Sequence, residues 1–137
     1  MIRVTLDKGA KMPRREHADD AGLDLFAVGD WTVPAGGYAK IDTGVHIEIP
    51  RGYVGLVTSK SGLMGKGLTC RGTIDSNYRG SIKAVVYNHG DVDYEFANGD
   101  KVTQLVIVPY NLDVLVEVDA LDETDRGSGG FGSTGKR

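Results

Sequence analysis

Apolar and polar residues alternate with a period of two along much of the chain, most strictly over residues 45–49, where His46 and Glu48 separate three apolar residues. Such alternation indicates a strand with one buried face, and short apolar runs between turns indicate more deeply buried strands. We therefore predict strands over residues 2–6, 23–25, 45–49, 53–58, 82–87, 92–96, 102–108 and 114–118. His46 and Glu48 then share a polar face, which we interpret as ordinary surface and not as a metal pair.

Turn signals separate these predicted strands. Pro50-Arg51-Gly52 precedes the strand over 53–58, and Asn98-Gly99 predicts a hairpin between the strands over 92–96 and 102–108. No segment of ten or more residues has the apolar spacing of an amphipathic helix. Many short strands without a long helix predict an all-β fold, either an antiparallel sandwich or a barrel.

Composition narrows the classes of protein that the chain fits. Its 137 residues suit one domain, and 40% hydrophobic residues predict a globular fold. A net charge of −3 argues against stable binding to nucleic acid or to an anionic membrane. Cys70 is the single cysteine, which excludes an internal disulfide and a cysteine metal cluster. We expect a cytoplasmic protein, in the host cell if the source is viral, with no secretion signal and no membrane span.

The segment from Gly72 to Gly80 is the strongest candidate for chemistry. It places the Asp75 carboxylate between the apolar Ile74 and a turn, and Tyr78 follows three residues later. An Asp-Ser-Asn sequence is also a common β-hairpin turn, so the segment has a structural interpretation beside a catalytic one.

Two further segments carry polar groups on predicted strands or turns. Asp24 lies between two leucines, where a strand would fix its direction, and Gln104 interrupts an apolar run, as a hydrogen-bonded amide commonly does. Residues 59–68 combine lysines, serines and glycines after a strand. This segment suits either an anion site built from free amides or a single helical turn with solvated lysines.

Residues 122–137, called the tail below, are rich in glycine. Such ends are commonly frayed, but the lone Arg126 and the lone Phe131 suit a flap that contacts phosphate and stacks on a ring. Residues 130–136 match the spacing of a phosphate-binding loop, but Arg137 replaces the required Ser or Thr and no helix can follow.

Five separated segments, in order along nearly the whole chain, resemble the five motifs of the trimeric dUTP diphosphatase (dUTPase) family. They are residues 21–25, 60–63, 72–80, 99–105 and 126–135. The resemblance implies a distorted jelly roll assembled as a homotrimer, with each active site built from three chains and the C-terminal segments exchanged. Residues 1–121 would form the β domain and residues 122–137 a flap that closes over the site.

The implied reaction is hydrolysis of dUTP to dUMP and pyrophosphate with Mg²⁺, which limits uracil incorporation into DNA and supplies dUMP for dTMP synthesis. Asp75 would activate the attacking water, and Asp24 would contact Mg²⁺ through water. Tyr78 would exclude a ribose 2′-hydroxyl. The resemblance further assigns substrate contacts to Lys60, Ser61, Gly62, Gly72, Thr73, Ile74, Lys83, Gln104, Arg126, Phe131, Gly132, Ser133 and Thr134, of which Arg126 would clamp the terminal phosphates and Phe131 would stack on uracil.

One residue departs from the family pattern, since most members have Arg where this chain has Lys60. Lysine keeps the charge but loses the planar two-pronged donor. Two other functions stay open. The related dCTP deaminases carry a catalytic glutamate at the position that corresponds to Val85, which cannot transfer protons. A dUTP-binding regulatory protein would use the same site without depending on hydrolysis.

Overall fold

The computed structural model describes residues 1–137 and consists almost entirely of short strands. Ten strands and one helical turn are present. They are β1 (Val4–Leu6), β2 (Leu23–Phe26), β3 (Trp31–Val33), β4 (Tyr38–Asp42), β5 (Val45–Ile47), β6 (Tyr53–Thr58), α1 (Ser61–Met64), β7 (Leu68–Ile74), β8 (Lys83–Asn88), β9 (Tyr94–Phe96) and β10 (Lys101–Pro109). The prediction of an all-β fold without a long helix is confirmed. None of the helical structure is long and apolar enough to cross a membrane.

All strand pairs are antiparallel, as predicted. A six-stranded sheet has the order β2-β10-β6-β7-β8-β4, and two small sheets pair β1 with β5 and β3 with β9. Strands β6, β7 and β8 are neighbours both in the chain and in the large sheet, but β10 lies between β2 and β6, and β4 lies beside β8. This arrangement brings segments that are distant in the sequence onto one sheet, which is how the candidate site residues meet.

A single hydrophobic core holds the sheets together. It contains 17 buried residues, among them Leu25, Ile41, Ile82 and Leu105, which have no exposed surface. Burying a side chain of this size contributes about 1.5–3 kcal/mol. The core residues come from alternate positions of the strands, so the opposite positions are left for polar groups.

The Asn98-Gly99 turn forms, but the predicted hairpin is wrong. Gly99 has a φ of +85°, which glycine adopts without strain, and the Asp100 amide donates to the Ala97 carbonyl across 3.0 Å. The strands on either side then diverge, because β9 pairs with β3 while β10 pairs with β2 and β6. A turn signal identifies the reversal of the chain but not the partners of its strands.

The predicted strand over residues 114–118 is also wrong for the chain by itself. No strand forms after Pro109, and Val114, Leu115, Val116 and Val118 are all exposed. The alternation in the sequence is real, but no strand edge of the same chain lies beside this segment to pair with it. Strands β3, β4 and β7 lie outside the strands that the pattern predicted, because β3 has only three residues and charged residues or glycine interrupt the alternation in β4 and β7.

Candidate active site

Asp75 lies directly after the last residue of β7. Strand β7 pairs with β6 as far as Ile74, which lies opposite Gly55, and the chain then turns, with the Tyr78 amide donating to the Asp75 carbonyl across 3.1 Å. The turn of the structural interpretation is therefore present. It is not a tight hairpin, because β7 pairs with β8 only over Leu68 to Cys70, so the two strands open toward Asp75.

The opening between these strands forms a cavity beside Asp75. The cavity measures about 230 Å³ and is lined by Arg71, Gly72, Thr73, Ile74, Asp75, Tyr78, Ser81, Lys83 and Val85. Six of these residues are ones that the resemblance places around the nucleoside or the attacking water. They are Gly72, Thr73, Ile74, Asp75, Tyr78 and Lys83. Asp75 also lines a larger open cavity of about 770 Å³, together with Arg51 and Arg79. Asp75 is therefore accessible from both cavities.

Tyr78 is held against the chain that leads into β8. Its hydroxyl donates to the Ser81 carbonyl across 2.9 Å, and the Ser81 hydroxyl donates to the Asp42 carboxylate on β4. Asp42 also pairs with Lys83 across 3.0 Å and accepts from the Gly44 amide. Burial raises the pKa of Asp42, but these hydrogen bonds and the Lys83 charge outweigh it and leave the pKa below its ordinary value. Asp42 therefore positions one wall of the cavity, a role that the sequence did not indicate.

His46 contacts the segment that follows the Asp75 turn, at Arg79. Its Nδ1 lies 2.7 Å from the Arg79 carbonyl and its Nε2 lies 3.0 Å from an Asp7 carboxylate oxygen. Both partners are acceptors, so the ring satisfies both only when it is doubly protonated. The Arg79 carbonyl, and after it Asp7, raise the pKa of His46 above 6.5.

A dependence of stability on pH follows from His46. Because its pKa is raised in the folded state, its contribution is fully present below pH 6.5 and is lost as the pH rises through the folded value. We expect the free energy of unfolding, measured with urea, to fall over this range more steeply for the wild type than for His46→Gln, which cannot be protonated there. Equal slopes for the two proteins would contradict this role.

A second group of residues, called the Asp24 cluster, consists of Asp24, Lys60, Lys101 and Gln104. Asp24 is 3% exposed on β2, and one of its carboxylate oxygens accepts a hydrogen bond from Lys60. The Lys101 ammonium lies 3.1 Å from the other oxygen, as an ion pair, and this oxygen accepts no hydrogen bond. Burial raises the pKa of Asp24, but the two lysines outweigh it and keep the pKa below its ordinary value. The carboxylate is therefore held ionised with one acceptor position unused.

Gln104 lies opposite Asp24 on one side and Thr58 on the other. Its amide donates to the Ser59 carbonyl across 3.1 Å, which confirms the prediction of a hydrogen-bonded amide. Ser61 and Gly62 start the single helical turn α1, and the first amides of a helix have no partner within it. Lys60, Ser61, Gly62 and Gln104, which the resemblance assigns to phosphate, thus lie at one end of β6.

Asp75 and the Asp24 cluster lie at opposite ends of the same strand pair. Gln104 pairs with Thr58, which pairs with Arg71, and Asp75 follows Arg71 by four residues. Four residues of strand span about 13 Å. A single chain therefore does not bring the carboxylate of Asp75 to the phosphate-contacting residues.

The tail residues are not brought to either group. Arg126 and Phe131 are exposed, and the hydrogen bonds of residues 124–135 stay within the tail. Gly132, Ser133 and Thr134 are likewise exposed. Phe131 has a φ of +50°, a conformation that is uncommon for an aromatic residue. Within one chain, the tail therefore forms no hydrogen bond to the site residues that the resemblance expects it to cover.

The sequence matches the family model for dUTPase over residues 8–135. This chain belongs to the dUTPase family. The match covers more than nine-tenths of the chain, and it spans both the β domain and the tail.

Curated relatives and solved structures are similar over the full length. Deoxyuridine 5′-triphosphate nucleotidohydrolases of Gloeothece citriformis and Clostridium tetani are each 42% identical, over 98% and 96% of this chain and 96% and 93% of theirs. Among solved structures, the dUTPase of Staphylococcus bacteriophage 80alpha with dUpNHpp has a TM-score of 0.94 at 32% identity over 99% of both chains. A mutant dUTPase from phage phi11 of S. aureus, in which a structural Mg(II) ion is coordinated, has a TM-score of 0.82 at 32% identity over 88% of this chain and 97% of that one. The predicted distorted jelly roll of this family is confirmed.

Lys101 is the member of the Asp24 cluster that sequence reasoning missed as a site residue. A break in register between Lys101 and Thr103 separates Lys101 from the regular ladder with β2. Such a bulge re-aims side chains, so simple alternation does not show where Lys101 points. Glu16 also accepts a hydrogen bond from its ammonium, and this bond, followed by the ion pair with Asp24, raises the pKa of Lys101.

Proposed function

We propose that this protein hydrolyses dUTP to dUMP and pyrophosphate. The observation that carries the proposal is the cavity of about 230 Å³ that places Asp75, Tyr78 and Lys83 around one nucleoside-sized space in a chain of the dUTPase family. Gly72, Thr73 and Ile74 line the same cavity, and because β7 pairs with β8 only as far as Cys70, their backbone groups on that edge are available for hydrogen bonds to a base.

Asp75 is the general base in this proposal. It stands at the mouth of the cavity, on a turn fixed by β7 and by the His46 contact to Arg79. A general base must lie about 2.6–3.2 Å from the group that gives up the proton. The Asp75 carboxylate would hold the attacking water at that distance, with the water facing the α-phosphorus. Tyr78 lies beside the sugar, where a hydroxyl at the 2′ position would collide with its ring.

The Asp24 cluster would contact the phosphates. Lys60 supplies positive charge, while the amides of Ser61 and Gly62 at the start of α1 and the side chain of Gln104 supply hydrogen-bond donors. No group of three His, Cys, Asp or Glu side chains in the chain could hold a metal. A Mg²⁺ ion that arrives with the triphosphate needs only one protein carboxylate through water, and the unused acceptor of Asp24 fits that need. When bound, Mg²⁺ neutralises phosphate charge.

The complete site requires more than one copy of the chain. Asp75 lies about 13 Å along the strands from the phosphate-contacting residues, which is several times the reach of a hydrogen bond. The exposed apolar residues after Pro109 likewise have no partner within the chain. We propose a homotrimer in which one chain supplies Asp75, the next supplies the Asp24 cluster, and the tail of residues 122–137 closes the site from a chain other than the one that gives Asp75.

Mixed oligomers test this arrangement. We expect Asp75→Asn and a variant lacking residues 124–137 to be inactive alone but to recover activity when they are unfolded and refolded together. In a random mixture, roughly one site in four would receive an intact Asp75 and an intact tail from different chains. Pyrophosphate release by the co-refolded mixture measures this. A mixture as inactive as its components would show that Asp75 and the tail act from the same chain.

The substrate is tested by comparing pyrophosphate release from dUTP, dCTP, dTTP and UTP with and without Mg²⁺. Efficient release from dUTP alone supports the proposal. The deaminase alternative predicts ammonia from dCTP instead, and the structure places Val85, which has no group for proton transfer, in the wall of the cavity. The regulatory alternative predicts tight binding of dUTP with negligible release.

A further inference from the structure

Gly80 lies directly beneath the Tyr78 ring. A Cβ atom built on Gly80 would lie 2.2 Å from the Tyr78 hydroxyl oxygen and 2.4 Å from the ring carbon that carries it. Non-bonded carbon atoms make favourable contact at about 3.5–4.0 Å, so the ring and a side chain at position 80 cannot both occupy these places.

The backbone does not require glycine at this position. Gly80 is absent from the ten glycines of this chain whose φ is positive, so an alanine could adopt its conformation. Glycine is therefore needed at position 80 because the Tyr78 ring occupies the space that a side chain would fill. The conformation of the turn does not require it.

Tyr78 is the part that would move if position 80 gained a side chain. Its side chain is 42% exposed and its hydroxyl is held by one hydrogen bond, to the Ser81 carbonyl. The Ser81 hydroxyl is anchored to Asp42, and Ile82 after it is fully buried, so the backbone beneath the ring is fixed. An added methyl group would thus displace the ring and leave the fold intact.

We propose that Gly80 is a specificity-determining positioning residue: by leaving room for the Tyr78 ring, it sets the discrimination between deoxyribose and ribose nucleotides. The proposal rests on the proposed function, in which Tyr78 excludes the 2′-hydroxyl. Gly80 does not line the cavity beside Asp75, so it acts through the position of the Tyr78 ring.

Gly80→Ala is the direct test. We expect its ratio of kcat/KM for dUTP to kcat/KM for UTP to fall about tenfold, in the range that one misplaced group in a pocket produces. The dissociation constant of the ribose counterpart divided by that of dUpNHpp should fall in parallel. Gly65→Ala is the matched control, because a Cβ there would lie 3.7 Å from the nearest atom and its φ is −61°. This control should keep the wild-type ratio.

A double-mutant cycle separates positioning from general damage. With Tyr78→Ala as background, Gly80→Ala should leave the ratio unchanged, because the ring that it displaces is gone. If Gly80→Ala alone fails to fold, the double mutant should fold, since the collision is relieved. An unchanged ratio in Gly80→Ala, or an equal further loss in the Tyr78→Ala background, overturns the inference. If the wild type binds dUpNHpp more tightly than its ribose counterpart but does not hydrolyse dUTP, the proposed function is refuted and the inference about Gly80 is not. If the wild type binds neither analogue, both the proposed function and this inference are refuted.

Discussion

Asp75→Asn is expected to lower the turnover of dUTP by about a thousandfold, within the range attributed to a general base, while binding of dUpNHpp stays close to that of the wild type. Asparagine keeps the shape of the side chain but cannot accept a proton from water. Asp75 is exposed at the end of β7 and makes no side-chain hydrogen bond or ion pair within the chain, so the substitution should not disturb the fold. Steady-state rates and calorimetric binding measure the two quantities.

Asp91→Asn provides the control, since Asp91 is an exposed acid in the turn after β8. It should retain full turnover. A substantial rate for Asp75→Asn would remove Asp75 as the base and direct attention to other groups at the mouth of the cavity. A loss of binding equal to the loss of rate would instead make Asp75 a binding residue.

Deletion of residues 124–137 is expected to lower kcat/KM for dUTP by about a thousandfold or more, the scale of an arginine that stabilises a phosphoryl transition state. The deletion should leave the melting temperature and the oligomeric state unchanged, because the hydrogen bonds of these residues stay within the tail. Pyrophosphate release, thermal unfolding and sedimentation check these expectations.

Two single substitutions divide the effect of the deletion. Arg126→Ala removes the charge and should mainly lower kcat, while Phe131→Ala removes the stacking ring and should mainly raise KM. Ser128→Ala, in the same tail, should behave as the wild type. If the shortened protein hydrolyses dUTP at the full rate, the tail is a frayed end and its role in the proposal is wrong.

The strands that the sequence predicted are those with a regular alternation of apolar and polar residues or with a short apolar run between turns. Strand β6 forms over the predicted residues 53–58, and β5, β8 and β10 lie within a few residues of their predicted bounds. The failures have a common cause. Asn98-Gly99 shows a turn but not the partners of the strands beside it, and the alternation over 114–118 requires a partner that one chain does not contain.

The site shows the same limit. Asp24 was identifiable because it interrupts an apolar strand pattern, and Asp75 because it follows the apolar Ile74 at the start of a turn. Lys101 and Asp42 were not, because their roles depend on a bulge in β10 and on the pairing of β4 with β8, which are set by tertiary packing. Gly80 resembles any turn glycine in the sequence, and only the position of the Tyr78 ring shows why it is there.

The uncovered apolar run after Pro109 has a consequence for the life of a newly made chain. In the proposed homotrimer other copies cover this run, so a chain that has not yet assembled carries a β-prone, water-exposed segment of the kind that proteases and chaperones recognise. Survival of such a chain would then depend on how quickly copies accumulate, so low expression would lower both the number of chains and the fraction of them that assemble.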